Sequence, residues 1–333
     1  MSSKISRPAK LFSFYNEKEE NGENIFIFDE KLFPIFHTRP NLYGSSVNLT
    51  EGIEEYTKKQ KFIHTPCNWD ILTYINKTVG FSLQHITDHS DVVCYREFLR
   101  DLMLVRFGGT LKYDYVAIMY SGIVFIEKVQ NISENIEIKD IERDYMERKF
   151  KIYCTNKVDK NSSTMSSSKG YYVTQTREFQ RSNSKIKVMF TGEVDAINSI
   201  SDSKDNNFME IRVSTNNLMH ILNGRELCNT WSKAYIAGNE LIAVGITKNN
   251  LLKNIKLISL SDLESKLPSQ ISEIMEFVGK SLESIINACK KYPMKYIIIP
   301  QSCSSLRVAS DEDIKTMNFS RPSSNFFQAF HSH

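Results

Sequence analysis

No apolar run in this 333-residue chain reaches the roughly 18 residues that a membrane-spanning helix needs. Its six cysteines (Cys67, Cys94, Cys154, Cys228, Cys289, Cys303) include no C-x-x-C pair, which excludes the usual zinc-ribbon and dithiol motifs. Charge of either sign is scarcely in excess: 42 Lys and Arg against 39 Asp and Glu give +3. That balance permits a local basic groove but does not mark a nucleic-acid binder. There is no internal repeat and no RNP-like motif. The opening MSSKISRPAK is polar and basic, so it lacks the apolar core of a signal peptide. The expected setting is therefore intracellular, cytoplasm or nucleus, with reduced thiols. No membrane association is expected.

What is present is the composition of a globular protein, 41% hydrophobic and 24% charged. Residues 1–8 read as a loose end, and NEKEENGEN (16–24) as a charged connector. VVCYREFLRDLMLV (92–105) has near-helical spacing. LKYDYVAIMYSGIVFIEKV reads as two β runs around a Ser-Gly turn. KDIERDYMERKFKIYC (139–154) reads as a helix, and the Ser-rich stretch 158–170 as a solvated loop. Strands are expected at 171–179, 185–197, 207–214, 240–247 and 295–300. Helices are expected at 216–237, with an interruption at Asn223-Gly224, and at 269–290. On that last helix Cys289 falls on the apolar stripe, a core position rather than a nucleophile. The tail after 304 shows no clear pattern. Strands and helices mix throughout, so the expected fold is α/β, a single domain spanning 9–303 with a mixed β-sheet core flanked by helices.

Acidic residues interrupt two apolar runs. Glu193 and Asp195 lie two apart in VMFTGEVDAI, and Glu210 and Arg212 two apart in FMEIRV. Residues two apart on a strand share a face. If the two runs pair as a hairpin in register, three carboxylates converge beside one cation. Like charges that close require a compensating cation, and a hard divalent ion such as Mg²⁺ supplies one. An ordinary hairpin is the alternative, with its acids on a solvent face and Glu193 paired across strands to Arg212. The apolar setting weighs toward a partnered, buried cluster.

At these residues the chain resembles the DXO family of RNA 5′-end decapping nucleases and 5′-3′ exoribonucleases, which are similar to PD-(D/E)XK nucleases. GEVD matches the family's E-Φ-D strand motif, and EIR its E-Φ-K motif with Arg in place of Lys. NTWSKAYIAG resembles the helix that follows, with Lys233 where the family usually has Gln. VVCYREFL resembles the first, arginine-bearing motif, and YMERKFKIYC the G-Φ-x-Φ-E helix motif. In the last, Glu147 takes the glycine position and Lys151 that of the catalytic glutamate.

The resemblance implies a DXO-like fold, with Glu193, Asp195, Glu210 and Arg212 as the catalytic set. It implies Glu193, Asp195, Glu210 and the Ile211 carbonyl as ligands of Mg²⁺ or Mn²⁺. Arg96, Lys151, Arg212 and Lys233 would face an RNA 5′ end. Three changes disturb this. Lys151 places an ammonium where a metal or its water would sit, which weakens or removes metal binding. Arg212 stays protonated and so is no general base, though it still clamps phosphate. Lys233 replaces a donor-acceptor with a pure cation. Glu147, one turn before Lys151, is the other residue able to supply a fourth carboxylate. Arg96 is equally readable as a helix arginine ion-paired to Glu97 or Asp101.

The expected function is binding of RNA 5′ ends with hydrolysis reduced or lost, a pseudoenzyme serving mRNA quality control or another regulatory response. The alternative is an active metal-dependent decapping nuclease. A third is an α/β interaction protein without RNA. A monomer is expected, with an unidentified protein partner allowed.

Overall fold

The computed structural model describes residues 7–18, 24–37, 47–54, 56, 66–130, 138–155, 169–180, 184–198, 207–215, 218–303 and 305–330. The Ser-rich stretch at 158–168 and the turn at 199–206 lie outside the described residues.

Two sheets organise the chain. The larger has ten strands. Its centre and one flank run β5 (Val92–Tyr95), β9 (Lys185–Glu193), β8 (Lys169–Gln180), β1 (Ala9–Lys18) and β2 (Asn24–Ile27). The other flank is β7 (Ile123–Gln130), β6 (Tyr115–Tyr120), β14 (Ile297–Ile299) and β15 (Arg307–Val308), with β16 (Asn318–Phe319) pairing β7 off the main path. The smaller sheet has six strands in the order β3 (Ile35–Phe36), β10 (Ala196–Asn198), β11 (Phe208–Thr215), β12 (Leu241–Lys248), β13 (Leu251–Ser259) and β4 (Val47–Asn48). Both sheets mix parallel and antiparallel neighbours: β5–β9 and β11–β12 are parallel, β8–β9 and β12–β13 antiparallel.

Helices pack on these sheets. In chain order they are α1 (Asn68–Val79), α2 (Leu83–Ile86), α3 (Arg96–Arg106), α4 (Ile138–Thr155), α5 (Gly224–Ala237), α6 (Leu260–Glu264), α7 (Ile271–Lys291), α8 (Asp311–Thr316) and α9 (Ser324–Phe330). The principal core joins α3, α5 and α7 to both sheets, with Trp231, Phe98, Ile242, Val244 and Cys289 fully buried. A second cluster places Met146, Phe150 and Cys154 of α4 on the small sheet against Ile211, Val213 and Ala243.

Two expectations are corrected, and two elements had none behind them. Val92–Tyr95 is a strand and the helix begins only at Arg96; the β-branched pair Val92-Val93 continues the parallel sheet between β7 and β9. The described ends of the charged stretch 16–24 are strand rather than connector, with Lys18 of β1 opposite Asn24 of β2. β13 was not expected at all, because its LLKNIKLIS alternates imperfectly with Lys residues on the solvent side. The tail after 304 is folded: Phe326 is completely buried and meets Trp69 edge-on at 4.8 Å. Its apolar anchors are too sparse to register as a periodic pattern.

Candidate functional site

The expected hairpin is a strand that changes sheets. β9 ends at Glu193 while still paired to Tyr172 of β8. Val194 N still donates to Tyr171 O of β8 at 2.7 Å; the chain then leaves the large sheet and resumes as β10 in the small one. The ladder of β10 with β11 pairs Ala196 with Met209 and Ile197 with Phe208. Beyond that point the edge of β11 has no neighbour in β10, so the Ile211 amide would be orphaned in a buried place. Asp195 fills the role: its Oδ2 accepts from Ile211 N at 2.8 Å. Glu193, Asp195 and Glu210 are thus brought together at a strand edge rather than by long in-register pairing.

α4 supplies Lys151. Met146, Phe150 and Cys154 recur every four residues and bind one face to the small sheet. The far end of the Phe150 ring approaches Gly245 of β12, where an added Cβ would come within 2.8 Å of it. That close approach sets the adjoining Lys151 beside the carboxylates. Its Nζ stands 2.5 Å from Asp195 Oδ1 and 3.7 Å from Glu193 Oε1. α5 approaches from the opposite face of β11, and its Lys233 forms an ion pair with Glu210 Oε1. Asp195 and Glu210 are buried, whereas the Glu193 side chain is 53% exposed.

Arg212 does not cross to Glu193. Its guanidinium is held by Glu147 of α4 at 3.6 Å and by Glu226 of α5 at 3.1 Å. Arg143 closes the ring onto Glu226 at 2.5 Å. Glu147 therefore serves Arg212 as a counter-ion. Glu226 was missed in the sequence, although it precedes Lys233 by seven residues and so shares its helix face. Arg96 makes neither of the ion pairs that its reading as a helix arginine expected. Its Nη2 donates to the Glu193 carbonyl at 2.7 Å, and Arg100 makes the ion pairs with Glu97 and Asp101. Gly192 makes room for this arginine, since a Cβ there would lie 2.7 Å from Nε. The Ile211 contact in the site is through its N–H.

The charges reinforce one another. Burial works against the Lys151 ammonium, but Asp195 and then Glu193 outweigh it and hold the lysine above its ordinary range. Burial likewise opposes the Asp195 carboxylate, yet Lys151, Lys233 and the Ile211 amide together hold it below the usual range. Arg212 is buried too, and Glu147, Glu210 and Glu226 keep its cation favoured.

A hard divalent ion needs carboxylate oxygens free to converge on it. Here Asp195 engages Lys151 with one oxygen and the Ile211 amide with the other. Glu210 is taken by Lys233. Among the described residues no three His, Cys, Asp or Glu side chains are arranged to hold a metal. This donor set accommodates two ammonium groups and does not fit a pair of divalent ions.

The profile of the RAI1-like PD-(D/E)XK nucleases matches residues 6–321. Solved structures share the fold. Candida albicans Rai1, in complex with pU5 and Mn²⁺, is 16% identical with a TM-score of 0.72 over 98% of this chain and 96% of that one. Scheffersomyces stipitis Rai1, in complex with 3′-NADP⁺ and calcium, is 15% identical with a TM-score of 0.75 over 100% and 97%. K. lactis Dxo1, in complex with manganese, is 12% identical with a TM-score of 0.59 over 93% of each chain. No curated protein matches the chain in sequence. Among the described residues no helix is long and apolar enough to cross a membrane.

Proposed function

The chain belongs to the RAI1-like PD-(D/E)XK nuclease family, and on that premise we propose that it binds RNA 5′ ends at a site whose carboxylates are neutralised by its own lysines. Hydrolysis is reduced or lost. The observation that carries this reading is the 2.5 Å contact between Lys151 and Asp195, on a residue aligned with the family's catalytic glutamate. The Lys233–Glu210 pair supports it from the other helix. Metal-assisted phosphodiester hydrolysis requires cations poised to stabilise both attacking and leaving oxygens. An ammonium already bonded to the ligand oxygens supplies charge but no open coordination position. RNA binding is supported by the relative solved with pU5 and by the cations gathered here: Lys151, Lys233 and Arg212 remain able to meet phosphate. In this reading Arg96 holds the strand break at Glu193 in place and reaches RNA only through it.

The alternative, an active metal-dependent decapping nuclease, is favoured by one observation: Glu193 is half exposed and 3.7 Å from Lys151, so this carboxylate is not fully engaged. The two readings separate in one experiment. Capped and 5′-monophosphorylated RNAs are incubated with the protein while Mg²⁺ or Mn²⁺ is titrated. The wild type is expected to bind RNA equally with and without chelator and to cleave slowly or not at all. The Lys151→Glu, Lys233→Gln double variant is expected to cleave at least tenfold faster in a metal-dependent way. Wild-type cleavage as fast as that of the variant would sink the proposal.

A further inference from the structure

Beyond the C-terminus of α5 the two sheets leave a cavity of about 650 Å³, lined among others by Arg7, Arg177, Tyr235, Glu240, Ser261 and Glu264. Its size is that of a small-ligand pocket. It is separate from the carboxylate site: Tyr235 follows Lys233 by two residues, so the two side chains leave α5 in nearly opposite directions.

Arg177 is the unusual member. It is 4% exposed. With Gln175, two residues earlier on β8, it caps the end of α5: Gln175 Nε2 donates to Ala237 O at 3.0 Å and Arg177 Nη1 to Tyr235 O at 2.7 Å. Such capping satisfies carbonyls that a helix end leaves unpaired. It uses one of the five N–H groups of the guanidinium. Among the described residues Nε has no partner, and the ring of Tyr235 lies 4.3 Å from the guanidinium carbon. No carboxylate among the described residues pairs with Arg177, whereas Arg7 and Glu240 pair with each other at the exposed mouth at 2.6 Å. A buried, permanently charged group without a counter-ion is costly. Burial in fact disfavours the Arg177 cation, and Tyr235 offsets only part of that penalty.

We propose that this cavity is an anion site that takes a phosphate group, free or carried on a nucleoside, with Arg177 as its anchor. A guanidinium presents a planar fork suited to phosphate oxygens. The acids Glu240 and Glu264 disfavour a second anionic group, and together with Ser261 they accept from hydroxyls or amines, as on a sugar or base.

Isothermal titration calorimetry on the full chain tests this with three probes: inorganic phosphate, adenosine 5′-monophosphate and adenosine. The phosphate-bearing probes bind and adenosine does not. Tighter binding of the nucleotide assigns a nucleoside-borne phosphate, and equal binding assigns the free ion. Arg177→Gln weakens binding at least tenfold, while Lys233→Gln changes it less than twofold. Because Arg177 also caps α5, its variant must first show a cooperative melt. Ser261→Trp, which narrows the cavity from an exposed position, provides the same test without touching the cap and is expected to weaken binding comparably. No binding of either phosphate species to wild type overturns the proposal. So does binding that Lys233→Gln abolishes, or binding that Ser261→Trp leaves unchanged.

Discussion

Among the described residues, carboxylates buried in different parts of the protein are neutralised by different means. At the candidate site Asp195 and Glu210 each meet a lysine. On β7, Glu127 is 3% exposed, and among the described residues no cation forms an ion pair with it. The Tyr95 hydroxyl donates to Glu127 Oε2 at 3.2 Å, while Oε1 has no partner. Burial, and secondarily the charge of Asp70, push the Glu127 carboxyl up to about 8, with Tyr95 opposing. A proton does at Glu127 what lysine does at Asp195. The contrast shows that burial alone does not decide an acid's charge: surroundings without a cation hold Glu127 neutral, whereas Lys151 and Lys233 hold Asp195 as a carboxylate.

The largest effect should come from stripping the cation from the lysine-neutralised region. Lys151→Met leaves Asp195 buried and unpaired, a loss on the order of 3–5 kcal/mol, to be measured by urea denaturation. A loss below about 1 kcal/mol would mean that water replaces the ammonium and that the site is more open than its contacts indicate.

The proton-neutralised region should show the next effect. Glu127 holds its proton in the folded state up to about pH 8, whereas an unfolded glutamate releases it near pH 4.3. The folded state therefore binds more protons in this window, and stability falls as pH rises from about 4.5 to about 8. Glu127→Gln should remove that slope and stabilise the protein at pH 8 by up to a few kcal/mol, at roughly 1.4 kcal/mol for each pKa unit. Melts of both proteins between pH 5 and 8.5 decide it, and parallel pH profiles would overturn the assignment.

Asp195 should behave oppositely. Its folded pKa lies below the ordinary value, so its contribution is fully present above about pH 4 and is lost only as acid carries the pH lower. The matching Lys151 contribution persists until alkali passes the ordinary lysine range, near pH 10.4. The stability difference between wild type and Asp195→Asn is thus expected to stay constant from pH 5 to 9. The smallest effect belongs to the rim: Arg143 is 47% exposed, and Arg143→Ala should cost no more than about 1 kcal/mol.

The elements that could be read from sequence were those whose pattern repeats. The apolar stripe of α7 and the alternation around the Ser121-Gly122 turn appear where expected, and that turn has the positive φ angles, 48° and 82°, that suit a tight hairpin. Of the charged residues set in apolar runs, Asp195, Glu210 and Arg212 are buried and ion-paired. What could not be read was how the acids meet. Periodicity describes a strand as continuous, and nothing in GEVDAI announces that the chain changes sheets there. The partners of Arg212 were hidden for a similar reason, since Glu147 and Glu226 come from helices on either side of β11. The folded tail escaped because one buried phenylalanine cluster, not a repeat, anchors it.

The change of sheet at residues 194 and 195 has a mechanical consequence. Glu193 rides on the large sheet, Glu210 on the small one, and Asp195 stands at the seam. Any breathing of one raft against the other alters the spacing of the three acids before it strains a single strand. Lys151 stitches that seam shut, with Arg96 pinning the carbonyl just upstream.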